Sequence, residues 1–201
     1  RVKYRATVED FVNQLLMSNS HLERSQVWKS SLRVDASDPS TVHGDWGLPE
    51  RGIRELPDSI GSLTVEGDFY LNDNLLTSLP PSIGGLTVTG YLNLSGNQLR
   101  TLPDSFSSIS IGRCLYLNHN QLQTMPENFG NLQLPGGSLL LHNNKLQSLP
   151  DSFGELSVGG TLDLQQNQLQ SLPESFGHLT VGFTLDISSN QLTKLPPSVS
   201  F

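Results

Sequence analysis

Apolar residues along this chain alternate in pairs, each member separated from the other by one residue: Phe69/Leu71, Leu92/Leu94, Leu115/Leu117, Leu139/Leu141, Leu162/Leu164 and Leu185/Ile187. Alternation of period two predicts short strands with one face buried. Three residues after each pair stands an asparagine: Asn74, Asn97, Asn120, Asn144, Asn167 and Asn190. Two residues further comes a leucine: Leu76, Leu99, Leu122, Leu146, Leu169 and Leu192. Leu-Pro or Met-Pro then punctuates the pattern at Leu56, Leu79, Leu102, Met125, Leu149, Leu172 and Leu195, in steps of 23, 23, 23, 24, 23 and 23 residues. A fixed period in the twenties predicts a solenoid, in which each unit closes its apolar face only by stacking on the next.

Each position in the unit has a physical reading. The asparagine falls where the chain leaves the strand. It is expected to be buried, bonding to backbone groups of its own turn and the neighbouring one, because each unpaired group would cost about 1–3 kcal/mol. After the Leu-Pro pair the sequence runs P-D-S-F-G-x-L, as in residues 150–156. Proline followed by an acid predicts the start of a short helical turn on the opposite limb. Ile60, Ile83, Phe106, Phe129, Phe153, Phe176 and Val199 then form a second apolar spine. Val65, Val88, Ile111, Val158 and Val181 precede the strands, usually near a glycine, and the unit containing Leu134-Pro135-Gly136-Gly137 has one extra residue. The pattern leaves the path of the chain there open.

Upstream the period changes. Val8, Phe11, Val12, Leu15 and Leu16 follow helical spacing, predicting an amphipathic helix over about 7–17. Ser20-His-Leu-Glu23 reads as a capping box opening a second helix over about 21–32, with a linker through 44. Residues 1–44 are thus expected to form a helical cap over the first apolar edge. Residues 45–201 are expected to form the repeat domain, a degenerate first unit plus six regular ones, truncated at the C-terminus. In the first unit Trp46, Leu48, Ile53 and Leu56 keep the apolar positions, while Arg51 replaces the asparagine.

The string Leu162-Asp-Leu-Gln-Gln-Asn-Gln-Leu-Gln-Ser-Leu-Pro173 resembles the leucine-rich repeat, L-x-L-x-x-N-x-L-x-x-L-P, and the likeness covers roughly 45–201. It implies an α/β solenoid: a right-handed curved array with a parallel sheet on the concave face, short helical turns or irregular limbs on the convex face, and here a helical cap. Two groups within the family are similar. Bacterial type III effectors place helices before Leu-Pro-punctuated repeats and carry a separate ubiquitin-ligase domain, though their units are shorter. The catalytic Cys-x-Asp of those ligases is absent here, since Cys114 precedes Leu115 and Tyr116. Intracellular Ras-group scaffolds share the 23-residue unit and the P-x-x-I-G-x-L limb. The first resemblance implies the target-recognition domain of a larger effector-like protein; the second implies a signalling scaffold without a catalytic neighbour. An intracellular setting is the expectation in either case.

Composition narrows the partner. The chain of 201 residues has 12 Lys plus Arg against 19 Asp plus Glu, a formal charge of −7. That balance argues against nucleic acid or an anionic membrane surface, and no apolar run approaches a bilayer span. One cysteine, Cys114, excludes an intrachain disulfide. No metal, cofactor or catalytic motif emerges from the spacing, so a protein partner is expected.

Strand positions alternating with the core face the concave side. Across successive strands they read Gly47, Tyr70, Asn93, Tyr116, Leu140, Asp163, Asp186, then Asn72, Ser95, Asn118, His142, then Asp73 and His119, with Asp68, Tyr91 and Cys114 just before their strands. Three of the four tyrosines gather here, and tyrosine suits interface anchors. The candidate partner surface is therefore Asp68, Tyr70, Asp73, Tyr91, Asn93, Tyr116, Asn118, His119, Leu140, His142, Asp163 and Asp186. Its acids predict a partner with a basic rim around an apolar or aromatic centre. His119 and His142 lack a third metal ligand nearby and read as solvated surface. Asp163 and Asp186 sit side by side on an open face, which suits partner contact better than acid–base catalysis. The molecule is expected to be a monomer or to self-associate weakly through an uncapped C-terminal edge.

Overall fold

The computed structural model describes residues 7–27 and 33–199. Each unit starts from the alternating pair, which forms a two-residue strand. The inner sheet comprises β3 (Trp46–Gly47), β5 (Phe69–Tyr70), β7 (Leu92–Asn93), β9 (Leu115–Tyr116), β11 (Leu139–Leu140), β13 (Leu162–Asp163) and β15 (Leu185–Asp186), all parallel and in sequence order. Register is one-to-one, as Tyr70 opposite Asn93 and Asp163 opposite Asp186. The strands' inward residues are fully buried from Trp46 through Leu164, so the core is a continuous column.

The opposite limb is built from 3-10 turns. Asp58–Ser62, Asp104–Ser108, Asp151–Glu155 and Glu174–His178 each begin immediately after an extended proline, as the Pro-acid pattern predicts; Pro81–Gly85 does so without an acid, and after Pro126-Glu127 the turn starts only at Phe129. The spine is closely stacked: the rings of Phe106, Phe129, Phe153 and Phe176 follow at 6.5, 6.0 and 6.2 Å, nearly parallel.

The stretch before each strand, open from sequence, makes a second, outer set of parallel strands. These are β2 (Thr41–His43), β4 (Thr64–Glu66), β6 (Thr87–Val88) and β8 (Ser110–Ile111), then β10 (Gln133–Leu134), β12 (Ser157–Val158) and β14 (Thr180–Val181). The outer sheet divides between β8 and β10. Thr89, Gly112, Gly159 and Gly182 each donate their N–H to the preceding outer strand. Pro135 holds the same place after β10 and has no N–H to give. The division therefore falls where the donor is missing.

The cap differs from the sequence reading in two places. Its first helix, α1 (Val8–Ser18), forms as expected, opened by a capping box between Thr7 and Asp10, with Val8, Phe11, Val12 and Leu15 fully buried. The second helix, α2, spans Arg24–Val27, and residues 28–32 of the predicted stretch lie outside the described residues. Ser20 lies in the turn before it, and the Glu23 N–H is held instead by the Gln26 side chain at 2.7 Å. Where a linker is predicted, β1 (Arg33–Val34) turns back antiparallel onto β2. Asp35 accepts from Ser37 N–H and Oγ–H, Asp38 accepts from Ser40, and these bonds shape the turn. The hairpin starts the outer sheet, so repeat-like pairing begins at Thr41 rather than at 45.

Candidate functional site

The asparagine ladder is present in every regular unit. Asn120 donates from Nδ2 to the Leu94 and Leu117 carbonyls at 3.0 and 3.1 Å, and its Oδ1 accepts from Leu99 N–H at 3.0 Å. Asn74, Asn97, Asn144, Asn167 and Asn190 repeat this pattern. In the first unit, where Arg51 stands in place of the asparagine, a buried asparagine of the cap, Asn19, ties the cap to the chain further on. It is 2% exposed, donates to Leu15 and Glu55 carbonyls and accepts from Arg54 N–H. Asn19 follows a helix, outside the repeat register, so no spacing argument could find it.

The residues before four of the inner strands, Asp45, Asp68, Cys114 and Ser138, form a second ladder that the sequence reading missed. Asp45 Oδ1 accepts from Asp68 N–H, and Asp68 Oδ1 accepts from Tyr91 N–H, both at 2.8 Å. Cys114 Sγ accepts from Ser138 N–H and Ser138 Oγ from Thr161 N–H. A glycine lies beneath each rung because a side chain there would collide. A Cβ on Gly90 would stand 2.0 Å from Asp68 Oδ1, and one on Gly160 2.3 Å from Ser138 Oγ. Where Arg113 replaces that glycine, the rung gives way to stacking, the guanidinium lying 5.8 Å from the centroid of the Tyr91 ring.

These bonds revise the candidate surface. Asp68 is a structural rung, and its second oxygen accepts from Tyr70 Oη–H at 2.8 Å. Asn93, Asp163 and Asp186 each fold back on their own turn, accepting from the N–H of Ser95, Gln165 and Ser188. Asp163 is 9% exposed, too enclosed to lead a contact. The Ser188 bonds hold the Asp186 carboxyl below its ordinary value. Asp73 and His119 are exposed, but in left-handed turns with φ of 55° and 54° rather than on strands. Asn118 keeps a buried Oδ1 without a partner.

Other candidates do converge. Tyr91 packs edge-on to Tyr116 with centroids 6.0 Å apart. The bond to Asp68 pushes the Tyr70 phenol up to about 12, and burial with the Cys114 thiol raises that of Tyr116. The Tyr70 and Tyr116 phenols thus stay neutral at ordinary pH, and all three rings are half-buried. Just beyond β9 and β11, His119 and His142 pack edge to face at 5.3 Å. His142 Nδ1 lies 3.0 Å from Asp163 Oδ2, without the alignment of a hydrogen bond. Leu140 is half-buried on the neighbouring strand. Among the described residues no three His, Cys, Asp or Glu side chains are placed to hold a metal ion.

Comparison with known proteins agrees with this geometry. The Leucine Rich Repeat family profile matches residues 90–109, 113–132 and 161–179. YopM from Yersinia enterocolitica is 30% identical over 78% of this chain and 32% of that one, with a TM-score of 0.54. A chain of the PEPR1–AtPEP1 structure is 26% identical over 92% of this chain and 29% of that one, at 0.65. A chain of the Toll–Spatzle complex from Drosophila is 28% identical over 74% and 20%, at 0.53. This chain spans about a third or less of the length of each. No curated protein matches significantly. By profile, period and stacking alike, the chain carries a leucine-rich-repeat solenoid.

Proposed function

We propose that this solenoid is a protein-recognition module that grips its partner on the concave sheet around Tyr70, Tyr91 and Tyr116. The observation that carries the reading is the convergence of these three rings, with Arg113 stacked on Tyr91, in the middle of a surface whose other polar groups largely bond to the protein's own backbone. Aromatic side chains with polar tips bury large areas at little entropic cost, which suits them to anchor an interface. Asp73 and Glu50 are exposed, supporting a partner with basic groups around an apolar or aromatic centre. PEPR1–AtPEP1 and Toll–Spatzle are both named as pairs, which supports a protein or peptide ligand here.

The wider setting we propose is target recognition within a larger effector-like protein. The helical lead-in and the likeness to YopM support it. A Ras-group scaffold is the second reading, favoured by the 23-residue unit and the P-x-x-I-G-x-L limb seen at residues 80–86. The test is partner capture by the chain carrying Tyr70→Ala and Tyr116→Ala. Capture is expected to fall at least tenfold while the circular dichroism spectrum stays native. Unchanged capture by a folded double variant refutes the concave-face reading.

A further inference from the structure

Arg113 stands where other units carry a glycine: Gly44, Gly67, Gly90, Gly137 and Gly160. Its backbone N–H is bonded to the Gly90 carbonyl at 3.1 Å, so the side chain leaves from a fixed point at the rim of the inner sheet. The residue is exposed, its guanidinium lies 5.8 Å from the centroid of the Tyr91 ring, and it makes no ion pair among the described residues. Tyr91 is itself packed edge-on to Tyr116, which sets the cation over an aromatic floor. Stacking occupies the face of a guanidinium and leaves its N–H edge free, and that edge matches a carboxylate in two parallel bonds.

The opposite charge lies on the same rim. Asp45, Asp68 and Tyr91 hold equivalent positions in consecutive units, each just before its inner strand. Asp68 has both oxygens engaged, one by Tyr91 N–H and the other by Tyr70 Oη–H. Asp45 is exposed and commits only one oxygen, to Asp68 N–H; the other has no partner among the described residues. The inner strands pair one-to-one, so at about 4.8 Å per strand Asp45 lies about 10 Å from the ring under Arg113. An extended chain covers that span in about three residues.

Resting on the concave-face reading above, we propose that the ligand is an extended peptide segment of mixed charge lying along the solenoid. An acidic side chain forks onto Arg113, and a basic side chain about two to four residues away meets the free oxygen of Asp45, with Tyr70 and Tyr91 between them. Opposite charges at the two ends select against other segments, because one carrying two acids or two bases meets a like charge at one end.

Selection of phage-displayed random dodecapeptides on the immobilised 201-residue chain tests this. Enriched sequences are expected to pair Asp or Glu with Lys or Arg at that spacing, and selection on Arg113→Glu to exchange the acid for a base. Two variants remove one charge each and leave the scaffold its bonds. Arg113→Gly restores the residue of the other units, and Asp45→Asn keeps an oxygen for Asp68 N–H. Both are expected to keep a native circular dichroism spectrum and to weaken a selected peptide at least tenfold by fluorescence anisotropy. A library that yields no enriched peptide, enriched peptides without the charge pair, or binding indifferent to either variant overturns the proposal. The double variant Tyr70→Ala, Tyr116→Ala separates this from the underlying reading. Peptides that still bind it refute the concave site itself, whereas peptides lost on it but indifferent to Arg113→Gly refute the charge pairing alone.

Discussion

Replacing Asn120 by alanine orphans three buried backbone groups at once, the Leu94 and Leu117 carbonyls and the Leu99 N–H, besides removing a longer, part-buried bond to the Asn118 carbonyl. Asn120 is 7% exposed, and Leu94, Leu99 and Leu117 are fully buried, so water has no route to the orphaned groups. Each buried unpaired group costs about 1–3 kcal/mol, and three partly relaxed ones together cost about 3–6 kcal/mol. Asn190 makes the same bonds, to Leu164, Ile187 and Leu169, but is only partly buried at the open edge. Water can replace its side chain there, and Asn190→Ala should cost about 1 kcal/mol or less. Urea denaturation of the two variants measures the difference. Exchange of the Leu99 and Leu169 amides localises it, since stacked units can unfold separately. Equal costs at the two sites, or under about 1 kcal/mol for Asn120→Ala, would show that the ladder is not what holds the turns, because enclosure is the only physical difference between them.

Further outcomes follow from individual positions. Gly137→Ala should destabilise by about 1–3 kcal/mol, because its Cβ would lie 1.7 Å from the Arg113 carbonyl. Gly136→Ala, with nothing within 4 Å, should be neutral or slightly stabilising in the same denaturation assay. Gln166 holds φ of 54°, so Gln166→Gly should stabilise by up to about 1 kcal/mol, whereas Gly96→Ala should destabilise by a similar amount or more. His43 bridges Glu66 at 2.6 Å and Asp35 at 3.2 Å. The Glu66 hydrogen bond raises His43 above its ordinary 6.5, so its contribution is full below 6.5 and fades as pH rises through the raised value. The Ser37 bonds hold Asp35 at about 2 against an ordinary 3.8, so its contribution is full above 3.8 and fades as pH falls toward 2. Protection of the β1–β2 hairpin amides should therefore peak between those limits, and His43→Gln should abolish the loss on the alkaline side.

The repeat and its spines were legible in the sequence because stacking demands one residue type at one position, unit after unit. Phe69/Leu71, Asn74 and Leu76 recur as a pattern since each must meet its own equivalent 23 residues on. The outer strands were not legible, because two residues such as Thr87 and Val88 carry no periodicity of their own. The rung before the inner strand stayed hidden for a different reason. Aspartate, thiol and hydroxyl all accept the same N–H, so Asp45, Asp68, Cys114 and Ser138 share a role without sharing a residue type. The only constant is the glycine beneath, and it reads as loop until the collision with the rung is seen.

That same chemistry changes what the acidic surplus means. From sequence, Asp68, Asp163 and Asp186 look like charges offered to a partner. In the folded chain each accepts from an N–H that the strand edge or turn exposes, so its first role is to satisfy backbone. A carboxylate accepting backbone N–H bonds still carries its charge, but it is fixed in place and has fewer lone pairs left for a partner. Asn93 is committed in the same way. The residues left to discriminate between partners are those whose rings stand on the face without a backbone duty. Tyr91 is the clearest of these, because it occupies a rung position yet makes no rung among the described residues, and Arg113 has replaced the glycine that a rung would need. Two departures from the repeat at adjoining positions, each permitting the other, mark the place where the scaffold gives up a bond of its own for a surface.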